Sequence, residues 1–386
     1  FMAGRLGRPV SFFLEDEEQE RRRRERELDL RSAGSLLTRA TAGQAIEKLN
    51  VLLETAPSPS ELGRLRLMAG TAYNFLAQGA AALRELTVAE RLATQLGDRI
   101  LRRTITHETA IAHRLLGSYR RSQEMLEVLL TEVEQSPVVD QVMRMRLLRD
   151  LGAVSIDLGE AEKASGYYLA ALEWAKDVGN ISGLVGIYNG LAYAYRALGD
   201  LEAATAYVQK ALGATEVSND LTAAAVMHNA LAVLAAERGH IDAAYRHVDR
   251  AIEIARVNGP ESYLPHYLNT KAECALKANR LEEAHSFADE ALRSAGRTGN
   301  QRAAAAAMVV LGEVLARTGA SEEGNRRLEE AAGIYRVLGA RAELGDVLMR
   351  LSRAAQSQGD TASAQRYAEL AYEATKTGSG LVGRSK

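Results

Sequence analysis

Apolar and small residues recur along this chain at helical spacing, and the pattern itself repeats. YNGLAYAYRALGDLEAATAYVQKAL starts at Tyr188, HNALAVLAAERGHIDAAYRHVDRAI at His228 and LNTKAECALKANRLEEAHSFADEAL at Leu268, 40 residues apart each time. Turn residues Gly159, Gly199, Gly239, Asn279, Gly319 and Gly359 share that interval, and so do Gly179, Asn219, Gly259, Gly299 and Gly339. Two turn signals per period, with helical pattern between them, predict two helices per repeat. A fixed period of this size predicts a helical solenoid.

Helices pack closely only where side chains shrink at the crossing. Gly152, Ala192, Ala232, Ala272, Gly312 and Ser352 mark that site on the first helix of each pair. Ala164, Ala204, Ala244, Ala284, Gly324 and Ala364 mark it on the second, followed seven residues later by Ala171, Ala211, Ala251, Ala291, Ala331 and Ala371. Leu151, Leu191, Leu231, Leu311 and Leu351 fill the gaps beside them. The register runs toward the N-terminus less regularly, through Gly70, Tyr73, Ala82, Leu86 and Ala89, and through Ala110, His113, Ser122 and Leu126. A degenerate unit around Ala33 continues into Ala45, Leu49 and Leu52. About nine helix pairs are expected over residues 28–376, with residues 377–386 as a flexible tail.

This pattern of small residues, with a Leu-Gly pair, a tyrosine and spaced alanines, resembles the tetratricopeptide repeat. The period is 40 where the family usually shows about 34, so helices or turns must be longer. The resemblance implies an all-α, right-handed superhelical solenoid whose first helices line a concave face.

Composition agrees with an all-α chain. Aromatic residues make up 5% and proline occurs six times, a profile poor in strand formers. The net charge of −2 creates no global field for nucleic acid. One cysteine, Cys274, excludes a disulfide framework and suits a reducing, cytoplasmic setting. No apolar run approaches the length of a membrane span. The seven histidines show no zinc-ligand spacing, and no Walker-A run, G-x-S-x-G elbow or H-E-x-x-H helix occurs. No metal, cofactor or enzymatic activity is therefore expected.

Residues 1–14 do not fit the repeat. FMAGRLGRPVSFFLED, through Leu6, Gly7, Pro9, Val10, Phe12, Phe13 and Leu14, resembles the last helix and tail of the Cro/C1-type helix-turn-helix domain of Xre-family bacterial regulators. Gly7 suits a helix C-terminus and Pro9 prevents its continuation. The resemblance implies a remnant of a DNA-binding domain whose recognition helix would precede Phe1, so DNA would be reached only through a domain missing from this chain. A capping helix for the solenoid is the other reading. Residues 15–27, EDEEQERRRRERE, hold seven acids and five arginines. Glu17–Arg21, Glu18–Arg22 and Glu20–Arg24 are i,i+4 pairs, so a charged helical linker is expected.

On the concave face, the position three before the small site of the first helix reads His107, Arg149, Asn189, Asn229, Asn269, Val309 and Met349. An asparagine amide offers an acceptor and two donors, so it can grip a peptide bond from both sides. Stacked repeats would present such grips at regular intervals to an extended peptide. The resemblance supports that use. Bridging between helices is the alternative. One turn away lie Tyr193, Glu273, Glu313 and Arg353, and a turn earlier Arg146, His266 and Asp346. An acidic or carboxylate end of the ligand is expected near Arg149. The chain is thus read as the sensor and dimerisation region of a bacterial transcriptional regulator, a homodimer binding a peptide or protein ligand in its groove. The alternative is a repeat scaffold or regulatory subunit that binds a protein partner without DNA.

Overall fold

A computed structural model describes residues 10–38, 41–136, 140–178, 181–258 and 261–375. Leu6, Gly7, Pro9 and the expected tail 377–386 lie outside them. The described residues form helices α1 (Val10–Ser35), α2 (Ala42–Glu54), α3 (Pro59–Phe75), α4 (Gly79–Leu96), α5 (Arg99–Leu115) and α6 (Tyr119–Glu134). There follow α7 (Gln141–Asp157), α8 (Ala161–Val178), α9 (Ile181–Ala197), α10 (Leu201–Ser218), α11 (Leu221–Glu237) and α12 (Ile241–Asn258). The last six are α13 (Leu264–Lys277), α14 (Leu281–Thr298), α15 (Gln301–Arg317), α16 (Ser321–Val337), α17 (Arg341–Ser357) and α18 (Thr361–Thr375). The chain divides into two compact units, Phe1–Glu132 and Val133–Lys386.

In the second unit the helices pair in sequence, α7 with α8 through α17 with α18, an all-α solenoid. A repeat consists of a 17-residue and an 18-residue helix, as α9 and α10 show. The surplus over the usual repeat length therefore resides in the helices, because the turns are only two or three residues.

The turn chemistry explains why the helices stop and restart so sharply. Asn219 ends α10 in the left-handed region at φ 52°, a conformation asparagine tolerates better than most residues. The next residue, Asp220, accepts a hydrogen bond from the Ala223 N–H at 2.9 Å and caps α11. Gly199 and Asp200 do the same at the other turn, where Asp200 receives the Ala203 N–H at 2.9 Å. Loss of such a cap costs about 1 kcal/mol. Asp200→Ala is accordingly expected to lower the urea midpoint of the second unit by that equivalent, with the helical circular dichroism of the folded chain unchanged.

One element departs from the 40-residue rhythm. A 3-10 turn, Glu261–Tyr263, occupies the place where α13 would begin, and the α-helix starts at Leu264 with Pro265 in its first turn. Proline has no N–H and its ring clashes with the carbonyl four residues back, so the helix cannot extend upstream through it.

The small sites are buried as their spacing requires. Ala204, Ala232, Ala244, Ala272 and Ala284 are fully enclosed. At two crossings a serine uses the closeness of the backbones: Ser352 Oγ donates to Ala364 O and Ser122 Oγ to Ala110 O, each at 2.7 Å. At a third crossing two glycines face each other, Gly312 and Gly324.

In the first unit, Ala33, Ala45, Leu49, Leu52, Leu65 and Ala69 form a core beneath α1. Helix α1 runs without a break through residues assigned from sequence to the domain remnant and the linker. Side chains 10–20, 22 and 23 lie outside the description, and with them the expected pairs of Glu17, Glu18 and Glu20. Arg26, still within the charged run, docks on the unit: it donates to Glu61 at 2.5 Å, to Thr55 Oγ1 at 3.0 Å and to the Leu52 carbonyl at 3.2 Å.

Candidate functional site

The first helices of the second unit place a row of polar side chains on one face. Asn189 on α9 and Asn229 on α11 are half-buried. Between them opens a cleft with about 430 Å³ of empty space continuous with solvent. Its rim carries Asn189, Tyr193 and Arg196 from α9 and Val226, Asn229 and Val233 from α11, and Val208 from α10 contributes to its floor. Its lining is mostly apolar, with Asn189, Asn229, Arg196 and the Tyr193 hydroxyl as its polar groups. Tyr193 is 48% exposed, so its ring stands free beside the opening.

The amide oxygens of Asn189, Asn229 and Asn269 are all buried, and none accepts a hydrogen bond from the described protein. A buried carbonyl oxygen left unpaired costs about 1–3 kcal/mol. Three such atoms recur in the unit at a 40-residue interval.

Asn269 nevertheless differs from the other two. It is only 5% exposed, and its Nδ2 donates to the Ala303 carbonyl of α15 at 2.8 Å. It therefore bridges neighbouring first helices, and that bond takes one of its two amide hydrogens. The expected ladder of three open grips is corrected to two. The first unit contains the same kind of bridge, where Asn74 Nδ2 donates to the Glu108 carbonyl at 2.9 Å, also across 34 residues of sequence.

His107 is another correction. It belongs to the first unit, has no exposed surface and lies 3.8 Å from the Glu108 carboxylate. It is a core side chain because the first-unit register turns that position inward. Arg149 does not present a free cation: its guanidinium makes a bidentate bond to Asp150, at 2.9 and 3.1 Å. Arg146 is half-buried on the same helix. His266 is surface-accessible, and its Nε2 lies 3.1 Å from Asn300 Nδ2. Partial dehydration, helped by Arg302, lowers its pKa, so the neutral ring accepts that bond.

Charged side chains continue the row. Arg196 clasps Glu237 from the next repeat, with Nε 3.0 Å from both carboxylate oxygens. That bond, acting against burial, raises the arginine's pKa. Arg350 bonds Glu313 from the preceding repeat and Asp346 on its own helix. Glu273 and Arg353 are exposed. Sequence reasoning passed over Arg196, Glu237 and Arg350. Their signal is positional, since Arg196 follows Asn189 by seven residues and Glu237 follows Asn229 by eight, two helical turns along the same face.

Among the described residues no group of three His, Cys, Asp or Glu side chains could hold a metal. His228 and His247 approach each other, with Nδ1 atoms 3.3 Å apart, and stand as a hydrogen-bonded pair inside one repeat. Among the same residues no helix is long and apolar enough to cross a membrane.

Residues 185–217, most of α9 and α10, match the tetratricopeptide repeat family. The fold is similar to that of a Rap protein complexed with Competence and Sporulation Factor, with a TM-score of 0.66 and 12% identity over 92% of this chain and 98% of that one. It is also similar to the apo form of the quorum sensor NprR from B. thuringiensis, at 0.61 and 15% identity over 92% and 99% of the two chains. The Rap conjugation gene regulator of plasmid pLS20, in complex with the Phr* peptide, aligns at 0.58 and 16% identity over 74% of this chain and 77% of that one. At these identities the likeness is one of fold. A comparison with curated protein sequences finds no match.

Proposed function

We propose that the second unit is a sensor for a short peptide, held in extended form along its row of first helices. The observation that carries this reading is the cleft between Asn189 and Asn229, whose two walls each bear a buried amide oxygen without a partner. A peptide N–H satisfies such an oxygen, and the asparagine N–H groups take the peptide carbonyl in return. The contact reads backbone, so it holds any sequence, while Tyr193, Val226 and Val233 select an apolar side chain. Fold relatives that include a quorum sensor and a complex with the Phr* peptide support the reading.

We extend it to gene regulation on the resemblance of residues 6–14 to the Xre tail. A homodimer is part of that proposal, because helix-turn-helix proteins read two-fold operators. Peptide binding shifts such a regulator only through tighter binding to one of its states.

The test is affinity selection of a degenerate heptapeptide library on the purified chain, followed by mass spectrometry of what is retained. Retention that a chain with the cleft filled by Val233→Trp does not show is the expected result. No retention by the native chain would end the peptide reading.

A further inference from the structure

We propose that Glu273 anchors a cationic group of the bound peptide, a guanidinium or an ammonium, about three residues along from the side chain that fills the Asn189–Asn229 cleft. The inference rests on the peptide reading above and adds the charge and position of one ligand residue.

The argument starts from the charges of the row. Its other acids are matched: Glu237 by Arg196, and both Glu313 and Asp346 by Arg350. Glu273 makes no hydrogen bond or ion pair among the described residues, although it is exposed. Three cations act on it from a distance, Arg350 on α17, Lys277 on its own helix and Arg196 on α9. The two arginines reach it from helices on opposite sides in the repeat order, and each is already held by an acid of its own. Glu273 therefore occupies a place that other repeats converge on, yet none of them binds its oxygens. Although the side chain reaches solvent, the protein crowded around its carboxyl pushes it up, against the pull of those cations. An incoming cation favours the ionised form and gains a charge-assisted bond, roughly twice as strong as a neutral one.

Arg149 supplies the contrast. The sequence placed a carboxylate end of the ligand there, but Asp150 already neutralises that guanidinium. The sense of charge recognition is thus reversed: the acceptor among the matched acids is an unmatched carboxylate.

The spacing follows from helix packing. Adjacent first helices stand about 8–10 Å apart, and an extended peptide advances about 3.3 Å per residue. One repeat therefore corresponds to about three peptide residues. Glu273 sits one repeat beyond Val233, at the same place in its helix.

The test uses two degenerate heptapeptide libraries, acetylated and amidated so that the ends carry no charge. They differ only in one fixed residue, Arg in one and Glu in the other, scanned through the inner positions among uncharged residues. The native chain is expected to retain the Arg library at least about tenfold over the Glu library. Glu273→Gln is expected to retain both equally, whereas Glu273→Asp, which keeps the charge, and Glu282→Gln, on a second helix, keep the preference. Retention of peptides without an Arg preference, or a preference that survives in Glu273→Gln, overturns the assignment and leaves the peptide reading standing. Retention of neither library by the native chain overturns both. Circular dichroism melting of each variant identifies any loss due to unfolding, and Glu273→Asp then decides the matter.

Discussion

A chain carrying Asn189→Ala and Asn229→Ala together is expected to bind peptide about thirtyfold to a hundredfold more weakly than the native chain, and to melt no earlier. Each asparagine exchanges up to two hydrogen bonds with the peptide backbone. Two or three such bonds for the pair, at a net value of about 1 kcal/mol each, give a loss of about 2–3 kcal/mol, and 1.4 kcal/mol corresponds to a factor of ten. The stability side of the prediction has the opposite sign from an ordinary core truncation. In the free chain both amide oxygens are buried and unpaired, so their removal relieves a penalty. Isothermal titration with a peptide selected from the library measures the first effect, and thermal melting of the free chain measures the second. A fall in melting temperature alongside the loss of binding would show that the two side chains hold the repeat together and do not serve a ligand. Asn269→Ala is the internal contrast. Its amide donates to Ala303 O at 2.8 Å, so its loss is expected to destabilise the chain by about 1 kcal/mol.

The second large effect concerns the crossing of α15 and α16. A Cβ at Gly324 would stand 2.6 Å from the Gly312 carbonyl oxygen and 3.2 Å from the Ala316 backbone nitrogen. Both obstacles are backbone, which cannot rotate aside as a side chain can. Gly324→Ala is expected to force the helices apart and to cost about 1–3 kcal/mol, the range of overpacked cores. Gly333→Ala, on the same helix with nothing within 4 Å of the added carbon, is expected to stabilise by up to about 1 kcal/mol, the helix-propensity difference between the two residues. The opposite signs on one helix separate packing from propensity, and denaturant unfolding of the two variants measures both. Equal behaviour of the two would mean that the crossing is looser than its geometry implies.

The crossing sites show how legible the fold was. Gly312 and Gly324 were assigned to helix contacts by period alone, and the structure brings their backbones together there. The match holds because close packing of paired helices permits few residue types at a crossing, and a duplicated unit repeats them. Turn residues were legible for a related reason: Asn219 and Asn279 stand at φ 52° and 57°, where most side chains are strained. The late start of α13 is set by Pro265, a single residue that the 40-residue period does not carry.

The candidate site was legible only in part. Periodicity put Asn189, Asn229 and Asn269 at one helical position, and it could not tell an open amide from a bridging one. That distinction depends on a hydrogen bond between helices distant in sequence. Arg149 shows the same gap, since its neighbour Asp150 was present in the sequence but the bidentate bond is a matter of side-chain direction.

The order of amino acids by itself determined the paired helices, their 40-residue interval and the face each side chain shares, because all three follow from local helical geometry and steric limits on small residues. Only the tertiary structure decided that Asn189 and Asn229 flank a cleft, that Asn269 is tied to α15 and that Glu273 makes no hydrogen bond or ion pair among the described residues. Those outcomes depend on which groups meet across separate helices, and the repeat period carries no information about such meetings.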